Sequence, residues 1–337
     1  MSRYSALILL LVLSINGCKA DLDIPLEYPT PPPPVSATPV PPLQLVSDPE
    51  LEKILASIAA DARGEVGAAA VILESGDAAL LNSNERFPML SVYKLPIAMA
   101  VLEKVRRGTS DLEEKIGVKK EDMVRPGVRS PLRDQKPDGG EFTIRELIRL
   151  SIAESDGTAS DVLLRHAGDA DEVQAFLTRI GIFDMKVQNS TMEVGADWQA
   201  QYRNYSSPAA AVELLRWLRL TASSESGGED EPVFGYLLEV MSETNTGAAR
   251  IKALLPKSAE VAHKTGTSGT QNGITAATND VGLIRLPDGR TAAVAIFVSD
   301  STADERTRES IIARSAEAIW KRWASTLDVQ GSPGSAK

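Results

Sequence analysis

The chain is organised around residues 87–102, in which a Ser-x-x-Lys motif opens an apolar helix: Phe87-Pro88-Met89-Leu90-Ser91-Val92-Tyr93-Lys94-Leu95-Pro96-Ile97-Ala98-Met99-Ala100-Val101-Leu102. Ser91 and Lys94 are three residues apart, so on a helix their side chains share a face and the amine can reach the hydroxyl. A lysine whose pKa is lowered by burial or nearby positive charge can take the serine proton and create a nucleophile. The motif therefore indicates covalent catalysis through Ser91, although such a pair also occurs by chance.

The composition is that of an acidic globular protein without the residues of a zinc centre. The chain has 337 residues, of which 43% are hydrophobic and 24% are charged, and its formal net charge is −10. It is long enough for two packed lobes, and the negative balance without a basic cluster argues against a nucleic-acid partner. Two histidines, His166 and His263, and a single cysteine, Cys18, cannot assemble a His/Cys zinc site. We expect a hydrolase with no metal and no cofactor.

The first 18 residues resemble an export signal. Arg3 precedes an apolar run over residues 6–13, which has the length of a signal-peptide core and is too short to span a membrane. Residues 15–18 then resemble a bacterial lipobox, with Cys18 as the residue that accepts the lipid. The alternative is cleavage near Ala20, which would release a soluble product. We expect an exported, periplasmic lipoprotein whose only membrane contact is this anchor.

A proline-rich stretch separates this signal from the folded part. Residues 19–46 include two runs of prolines, which predicts an extended, semi-rigid tether. The catalytic domain is expected over residues 47–325, with a helical lobe over about 88–232 inserted in it. A disordered tail is expected over residues 326–337.

The periodicity of this domain predicts strands near both chain ends and helices between them. Strands are expected at residues 66–74, 78–81, 261–267, 280–286 and 291–298, with tight turns joining the first pair and the last pair. A capping box of Thr143 and Glu146 opens one of several helices in the middle, and a final helix is expected over residues 303–323. The predicted fold class is α+β, with one antiparallel sheet built from both chain ends and an all-helical lobe. A site between the lobes follows from this arrangement.

Two further short motifs lie where a cleft between the lobes would need them. Ser155-Asp156-Gly157 falls between two predicted helices, and Lys264-Thr265-Gly266-Thr267 falls on a returning strand. Each motif is weak alone. The ordered set of Ser-x-x-Lys, Ser-Asp-x and Lys-Thr-Gly resembles the penicillin-recognising serine enzymes.

The resemblance extends well beyond these motifs. Residues 262–269, 276–282 and 286–290 are similar to class A β-lactamases, most of all to their PER-like branch, and residues 201–208 are similar to the end of that branch's omega loop. The likeness covers residues 47–325. It implies a β-lactamase/transpeptidase-like fold and hydrolysis of β-lactam antibiotics through a serine acyl-enzyme.

The resemblance also implies roles for the catalytic residues. Ser91 corresponds to the acylated nucleophile, and Lys94 takes part in its deprotonation. Ser155 relays a proton to the departing lactam nitrogen. The backbone N–H groups of Ser91 and Thr267 form the oxyanion hole, where losing one donor costs on the order of a hundredfold in rate.

Substrate binding is assigned in the same way. Lys264 supplies positive charge near the substrate carboxylate, and the hydroxyls of Thr265 and Thr267, on either side of Gly266, hydrogen-bond that carboxylate. The family usually has Asn where this chain has Gly157, and that amide contacts the acylamino group of the substrate. Its loss should weaken recognition of this group by about 1–2 kcal/mol without removing the chemistry.

A second departure concerns deacylation. Class A enzymes carry an omega-loop Glu that activates water, and counting back from Tyr202 without gaps puts Thr191 at its place. Glu193 is the nearest carboxylate. Either the loop shifts so that Glu193 becomes the base, which we favour, or no base is positioned. In the second case acylation would be fast and turnover slow, because a hydroxyl cannot accept the proton at neutral pH.

The leading hypothesis is a monomeric class A β-lactamase that opens the lactam through Ser91 and hydrolyses the ester with Glu193. One alternative is a DD-peptidase or penicillin-binding relative that is acylated and stalls. Another is a protein that sequesters lactams without turnover, which the threonine at position 191 favours.

Overall fold

The structure is a computed structural model that describes residues 37–225 and 232–324. The expected signal peptide, Cys18 and most of the tether therefore lie outside the described residues, and so does the tail from residue 326. The described end of the tether lies against the domain. The Trp217 indole N–H donates to the carbonyl of Thr38 over 3.0 Å, and Ala37 is buried. Within the described ranges, no helix has the length and apolar character needed to cross a membrane.

Strands occur at both ends of the domain, with short ones between. In chain order they are β1 (Val46–Ser47), β2 (Glu65–Ile72), β3 (Asp77–Leu81), β4 (Phe87–Pro88), β5 (Lys115–Lys119), β6 (Gly139–Thr143), β7 (Met185–Lys186), β8 (Tyr205–Ser206), β9 (Val261–Thr267), β10 (Thr270–Gln271), β11 (Ile274–Arg285) and β12 (Thr291–Ser301). The sequence did not predict β1, β4 to β8 or β10. These strands are short or largely exposed, so they carry little hydrophobic periodicity.

Helices fill the middle of the chain and cover the sheet. They are α1 (Pro49–Ala59), α2 (Lys94–Arg106), α3 (Pro131–Gln135), α4 (Ile144–Ala153), α5 (Gly157–Ala167), α6 (Asp169–Arg179), α7 (Thr191–Ala196), α8 (Pro208–Glu225), α9 (Val233–Ser242) and α10 (Glu305–Ala324). The predicted caps are present. Asp48 accepts from the N–H of Leu51 at the start of α1, and Thr143 and Glu146 form the capping box of α4.

The main sheet has seven strands in the order β1-β3-β2-β12-β11-β10, with β9 also paired to β11. The hairpins β2–β3 and β11–β12 are antiparallel, as the sequence predicted. Strand β2 from the start of the domain pairs with β12 from its end, for example Ala70 with Val294. The sheet is therefore built from both ends of the chain, which confirms the α+β fold class.

Alternation along β2 divides the core into two parts. Ala68, Ala70 and Ile72 face a cluster that includes α1 and α10, where Leu51, Ile311 and Trp323 pack. Ala69 and Val71 face the opposite cluster, which continues into the helical lobe through Phe297 and α2. Because successive residues of a strand point to opposite faces, one strand serves both cores. The sheet is thus covered on both sides, with the helical lobe on one of them.

Helix α2 lies at the centre of the helical lobe. Residues 94–103 are buried without interruption, including Lys94 and Glu103. A helix that is apolar all round is typical of a protein interior. The sequence predicted a helix from Ser91, whereas the structure has a 3₁₀ turn over Leu90–Tyr93 and the α-helix from Lys94. The Ser-x-x-Lys motif is therefore anchored by a helix whose residues 94–103 are all buried.

Candidate active site

A cleft of about 730 Å³ brings together several of the predicted residues. Its wall includes Ser91, Lys94, Ser155, Thr191 and Thr267. These residues come from the turn before α2, the start of α5, the start of α7 and the end of β9. The cleft thus joins distant parts of the chain, since Ser91 and Thr267 are 176 positions apart in sequence.

The turn that carries Ser91 is packed against strands β9 and β11. Leu90 has a φ of +46°, a left-handed conformation that costs a residue with a Cβ roughly 1–3 kcal/mol. The Asn279 side-chain amide donates to the carbonyls of Pro88 (2.8 Å) and Met89 (3.2 Å). A Cβ on Gly266 would lie 2.2 Å from the Met89 oxygen, so only glycine lets β9 approach this turn so closely. This packing explains why the Lys-Thr-Gly motif needs its glycine.

Lys94 is a buried amine directed at the second motif. Its side chain is 1% exposed, and Nζ donates to the backbone carbonyl of Ser155 over 2.7 Å. Burial lowers the pKa of Lys94 to about 8, against the opposing charges of Asp156 and Asp161. A minor but appreciable fraction of the amine is therefore neutral near physiological pH, far more than for an ordinary lysine, and the neutral form is what a proton acceptor for a serine requires.

Ser155 lies between two lysines. Its backbone carbonyl accepts from Lys94, and its Oγ accepts from Lys264 Nζ over 3.1 Å. Lys264 is fully buried and also donates to the Thr265 carbonyl over 3.0 Å. Burial, followed by the positive charge of Lys94, holds the pKa of Lys264 well below its usual range. The Ser155 hydroxyl thus contacts the Lys264 amine directly, while Lys94 holds the backbone of the same residue, and a hydroxyl placed this way can take part in proton transfer.

Asp156 of the same motif has a structural role. It is fully buried and caps α5 by accepting from the N–H of Ala159 over 2.8 Å. It also accepts from the Ser130 hydroxyl and from the N–H of Leu132. These bonds fix the loop before α5, and with it Ser155, whose φ is +57°.

The two threonines of the third motif differ in their surroundings. Thr267 lines the cleft, whereas the Thr265 hydroxyl is paired with the Thr246 hydroxyl at 2.6 Å. Arg250 donates from Nη2 to Thr267 Oγ1 over 2.8 Å and from Nη1 to the Gly266 carbonyl over 3.2 Å. Sequence reasoning missed Arg250, because no motif surrounds it and only the tertiary fold brings it to β9.

Glu193 lies away from the cleft. Its Oε2 accepts from the N–H (2.8 Å) and the hydroxyl (3.0 Å) of Ser190, which forms a capping box at the start of α7. It lines a separate cavity of about 340 Å³ that does not include Ser91. The Ser190 N–H holds the pKa of Glu193 below its usual value. The structure therefore does not bring the favoured base to the nucleophile, and the Ser-x-x-Glu spacing could have indicated the cap.

Thr191 occupies the place expected from the ungapped count. It is buried, lines the cleft, and pairs its hydroxyl with that of Tyr93 at 2.8 Å. Its backbone N–H donates to Asp161 over 2.6 Å. The loop is thus pinned by Asp161 with Thr191, not Glu193, facing the cleft.

Gly157 lies directly behind Thr191. A Cβ at this position would be 2.8 Å from Thr191 Cγ2 and 3.2 Å from the Arg129 carbonyl. The two departures from the family pattern therefore touch each other, and the threonine methyl fills the space where a side chain at position 157 would begin. Gly157 is not part of the cleft wall described above.

The cleft carries positive charge although the chain as a whole is acidic. Arg125 and Arg129 line it together with Lys94. This charge favours a ligand with a carboxylate. In the ranges 37–225 and 232–324, His, Cys, Asp and Glu side chains form no group of three or more that could hold a metal ion.

Comparisons with known proteins identify the family of this chain. A profile of the β-lactamase enzyme family matches residues 50–323. The β-lactamase VEB-1 of Pseudomonas aeruginosa is 36% identical over 255 residues, which cover 76% of this chain and 84% of that protein. The extended-spectrum β-lactamase PER-1 of the same organism is 36% identical over 274 residues, covering 81% and 87%. The crystal structure of a β-lactamase from Chitinophaga pinensis is 37% identical, has a TM-score of 0.77, and is matched over 81% of this chain and 99% of that one.

The chain therefore belongs to the β-lactamase enzyme family. Its fold, with the relatives VEB-1 and PER-1, identifies it as a class A serine β-lactamase of the PER-like branch, as the sequence motifs predicted.

Proposed function

We propose that this protein hydrolyses β-lactams through an acyl-enzyme on Ser91. The observation that carries the proposal is the position of Ser155 between Lys94 and Lys264 in the cleft that Ser91 lines. This arrangement offers a nucleophile, a buried amine to deprotonate it and a hydroxyl to protonate the leaving nitrogen. The relatives named as β-lactamases support the same reaction.

Acylation uses these groups in order. The Ser91 hydroxyl attacks the lactam carbonyl carbon and gives its proton to the neutral Lys94 amine. The backbone N–H groups of Ser91 and Thr267 stabilise the oxyanion. As the C–N bond breaks, the Ser155 hydroxyl, which accepts a hydrogen bond from Lys264 Nζ over 3.1 Å, protonates the nitrogen and recovers the proton that Lys94 took from Ser91, so both lysines end the step as they began it. The product of this step is an ester between Ser91 and the opened lactam.

The carboxylate beside the lactam nitrogen is recognised by cations and hydroxyls. Lys264 and Thr267 lie on the β9 side, with Arg250 donating to Thr267. The Thr265 hydroxyl joins them if it leaves its partner Thr246 when substrate binds. Charge-assisted hydrogen bonds of this kind each contribute about 1.5–3 kcal/mol. No amide side chain at position 157 is available for an acylamino group, so we expect recognition of that group to be weaker than in relatives with Asn.

A chromogenic cephalosporin tests the proposal. The mature chain should hydrolyse it over many turnovers, and Ser91→Ala should lower the rate by at least about a thousandfold, because nucleophile and base act as a unit. Ser224→Ala, which changes an exposed serine at the end of α8, is the matched control and should leave the rate unchanged. A Ser91→Ala protein that retains the rate would overturn the proposal.

We also propose export and lipid attachment at Cys18, on the sequence pattern alone. The Cys18→Ser substitution should release the protein from the membrane fraction. If neither this substitution nor mild protease treatment releases the protein, the lipid anchor is contradicted. The monomeric state remains a prediction that sedimentation equilibrium of the mature chain tests.

A further inference from the structure

The structure raises the question of what accepts the proton of the deacylating water. Thr191 stands in the cleft where the family has its Glu, and Glu193 is held in a capping box beside another cavity. A threonine hydroxyl can hold and pass a proton but cannot keep it at neutral pH. A proton acceptor must therefore be sought among the groups that Thr191 contacts.

Asp161 is the carboxylate in contact with Thr191. It projects from α5, and its Oδ1 accepts from the N–H of Thr191 over 2.6 Å while its Oδ2 accepts from the N–H of Met192 over 2.9 Å. It is buried, with 5% of its surface exposed. Each oxygen retains a second lone pair after these bonds, so the carboxylate can still accept a proton.

Electrostatics suit this carboxylate to the task. Burial raises the pKa of Asp161, whereas hydrogen bonds from the Thr191 backbone and hydroxyl oppose the rise, and so does the charge of Lys94. The raised pKa favours the protonated form of this carboxyl, which is the direction that helps a base to accept a proton.

The Tyr93 hydroxyl fixes the orientation of Thr191. The two hydroxyl oxygens are 2.8 Å apart, and burial raises the pKa of Tyr93, so this phenol stays protonated and can donate. When Tyr93 donates to Thr191 Oγ1, the proton of the threonine is left to point at another acceptor. Asp161, already bonded to the same residue, is the acceptor at hand.

We propose that Asp161, acting through the Thr191 hydroxyl, accepts the proton of the deacylating water. The inference rests on the proposed acyl-enzyme mechanism and supplies the carboxylate that position 191 lacks. Asp161 is thus a positioning residue as well as a proton acceptor, because Thr191 stands between it and the cleft. Glu193 takes no part in the step.

The proton balance of the step is complete. The water oxygen bonds to the ester carbonyl carbon, its proton moves to Thr191 Oγ1, and the threonine proton moves to the Asp161 carboxylate. The tetrahedral intermediate then expels Ser91 Oγ as its C–O bond breaks, and the proton returns from Asp161 through Thr191 to that oxygen. The net reaction is ester plus water giving the opened acid and free Ser91.

Thr191→Val is the first test, because valine keeps the backbone N–H and the methyl but removes the hydroxyl. Rapid mixing with a penicillin, followed by intact mass spectrometry, gives the acylation and deacylation rates separately. We expect deacylation to fall by about 10²- to 10⁴-fold, the usual contribution of general base catalysis, with acylation unchanged within about threefold. Thr191→Ser should restore most of the lost rate. Glu193→Gln, which preserves the capping box, is the matched control and should deacylate like the wild type.

Asp161→Asn is the second test, in which the deacylation rate is measured as a function of pH. The charged and titratable groups around Asp161 are Lys94 on α2, Tyr93 on the preceding turn, Arg165 on α5, Asp169 on α6 and Glu193 on α7. In the wild type the deacylation rate should fall at low pH as Asp161 becomes protonated, and this limb should be absent in Asp161→Asn. The double variant Thr191→Val/Asp161→Asn should deacylate no more slowly than the slower single variant, because both substitutions interrupt the same proton-transfer pathway.

The outcomes separate this inference from the proposed function. If Ser91 forms no adduct with any lactam, the proposed function itself fails. If adducts form but Thr191→Val and Asp161→Asn deacylate at the wild-type rate, or the acid limb survives in Asp161→Asn, the proton acceptor is another group. If Asp161→Asn slows acylation and deacylation equally, Asp161 only holds the loop, and the inference is overturned.

Discussion

The close contact between β9 and the nucleophile turn gives a sharp prediction for Gly266→Ala. The added Cβ would lie 2.2 Å from the Met89 carbonyl oxygen and 3.2 Å from Val92 Cγ2. The first partner is backbone, so no side chain can rotate away. Restoring a tolerable separation requires β9 and the turn to part by about 0.8 Å, and a misplacement of about 1 Å can cost a hundredfold in rate.

We therefore expect Gly266→Ala to slow acylation of Ser91 by about a hundredfold, measured by stopped-flow with a chromogenic cephalosporin. The free energy of unfolding should fall by about 1–3 kcal/mol, as for other overpacked sites, and this is measured by urea denaturation. Gly117→Ala is the matched control, since a Cβ there meets nothing within 4 Å and the residue is exposed in β5. Acylation by Gly266→Ala within about threefold of the wild type would refute the claim that this contact sets the position of Ser91.

Three further predictions follow from the site. Acylation should accelerate as pH rises through about 8, because the pKa of Lys94 is lowered to about 8 and its neutral form accepts the serine proton; a flat rate from pH 6 to about 9 would contradict this role. Gly157→Ala should lower the thermal midpoint, because its Cβ meets the Thr191 methyl at 2.8 Å, and Thr191→Ser should recover part of the loss; equal midpoints for the single and double variants would contradict the contact. Arg250→Met should raise KM for carboxylate-bearing lactams about tenfold or more with a smaller effect on kcat, since it removes the donor to Thr267; an unchanged KM would separate Arg250 from substrate binding.

Local patterns predicted most of the fold. The alternating and continuous apolar runs of β2, β11 and β12 are long, and their burial is nearly complete, so their hydrophobic signal is strong. Caps such as Asp48 and the pair Thr143 and Glu146 are read directly from residue spacing. The hairpin of β5 and β6 was not predicted, because its residues are mostly exposed and rich in charged side chains and glycine.

The proposed nucleophile Ser91, Lys94 and the third motif could be singled out from the sequence because they lie in short runs of fixed spacing. The deacylating side of the cleft was not, because it depends on contacts between distant residues. Gly157 and Thr191 touch across 34 positions, and Asp161 reaches Thr191 from the neighbouring helix. Counting residues predicted that Thr191 lies in the cleft, and Thr191 does line it. Glu193 was favoured because class A deacylation requires a carboxylate, but the side chain of Glu193 forms a helix cap.

The most direct test of the account is time-resolved intact mass spectrometry of the mature chain mixed with a penicillin, with substrate loss followed in the same tubes. The account predicts many equivalents of substrate consumed while a single adduct on Ser91 appears and decays. If one equivalent is consumed and the adduct persists, the protein traps lactams without turnover, and hydrolysis with threonine at position 191 would be contradicted.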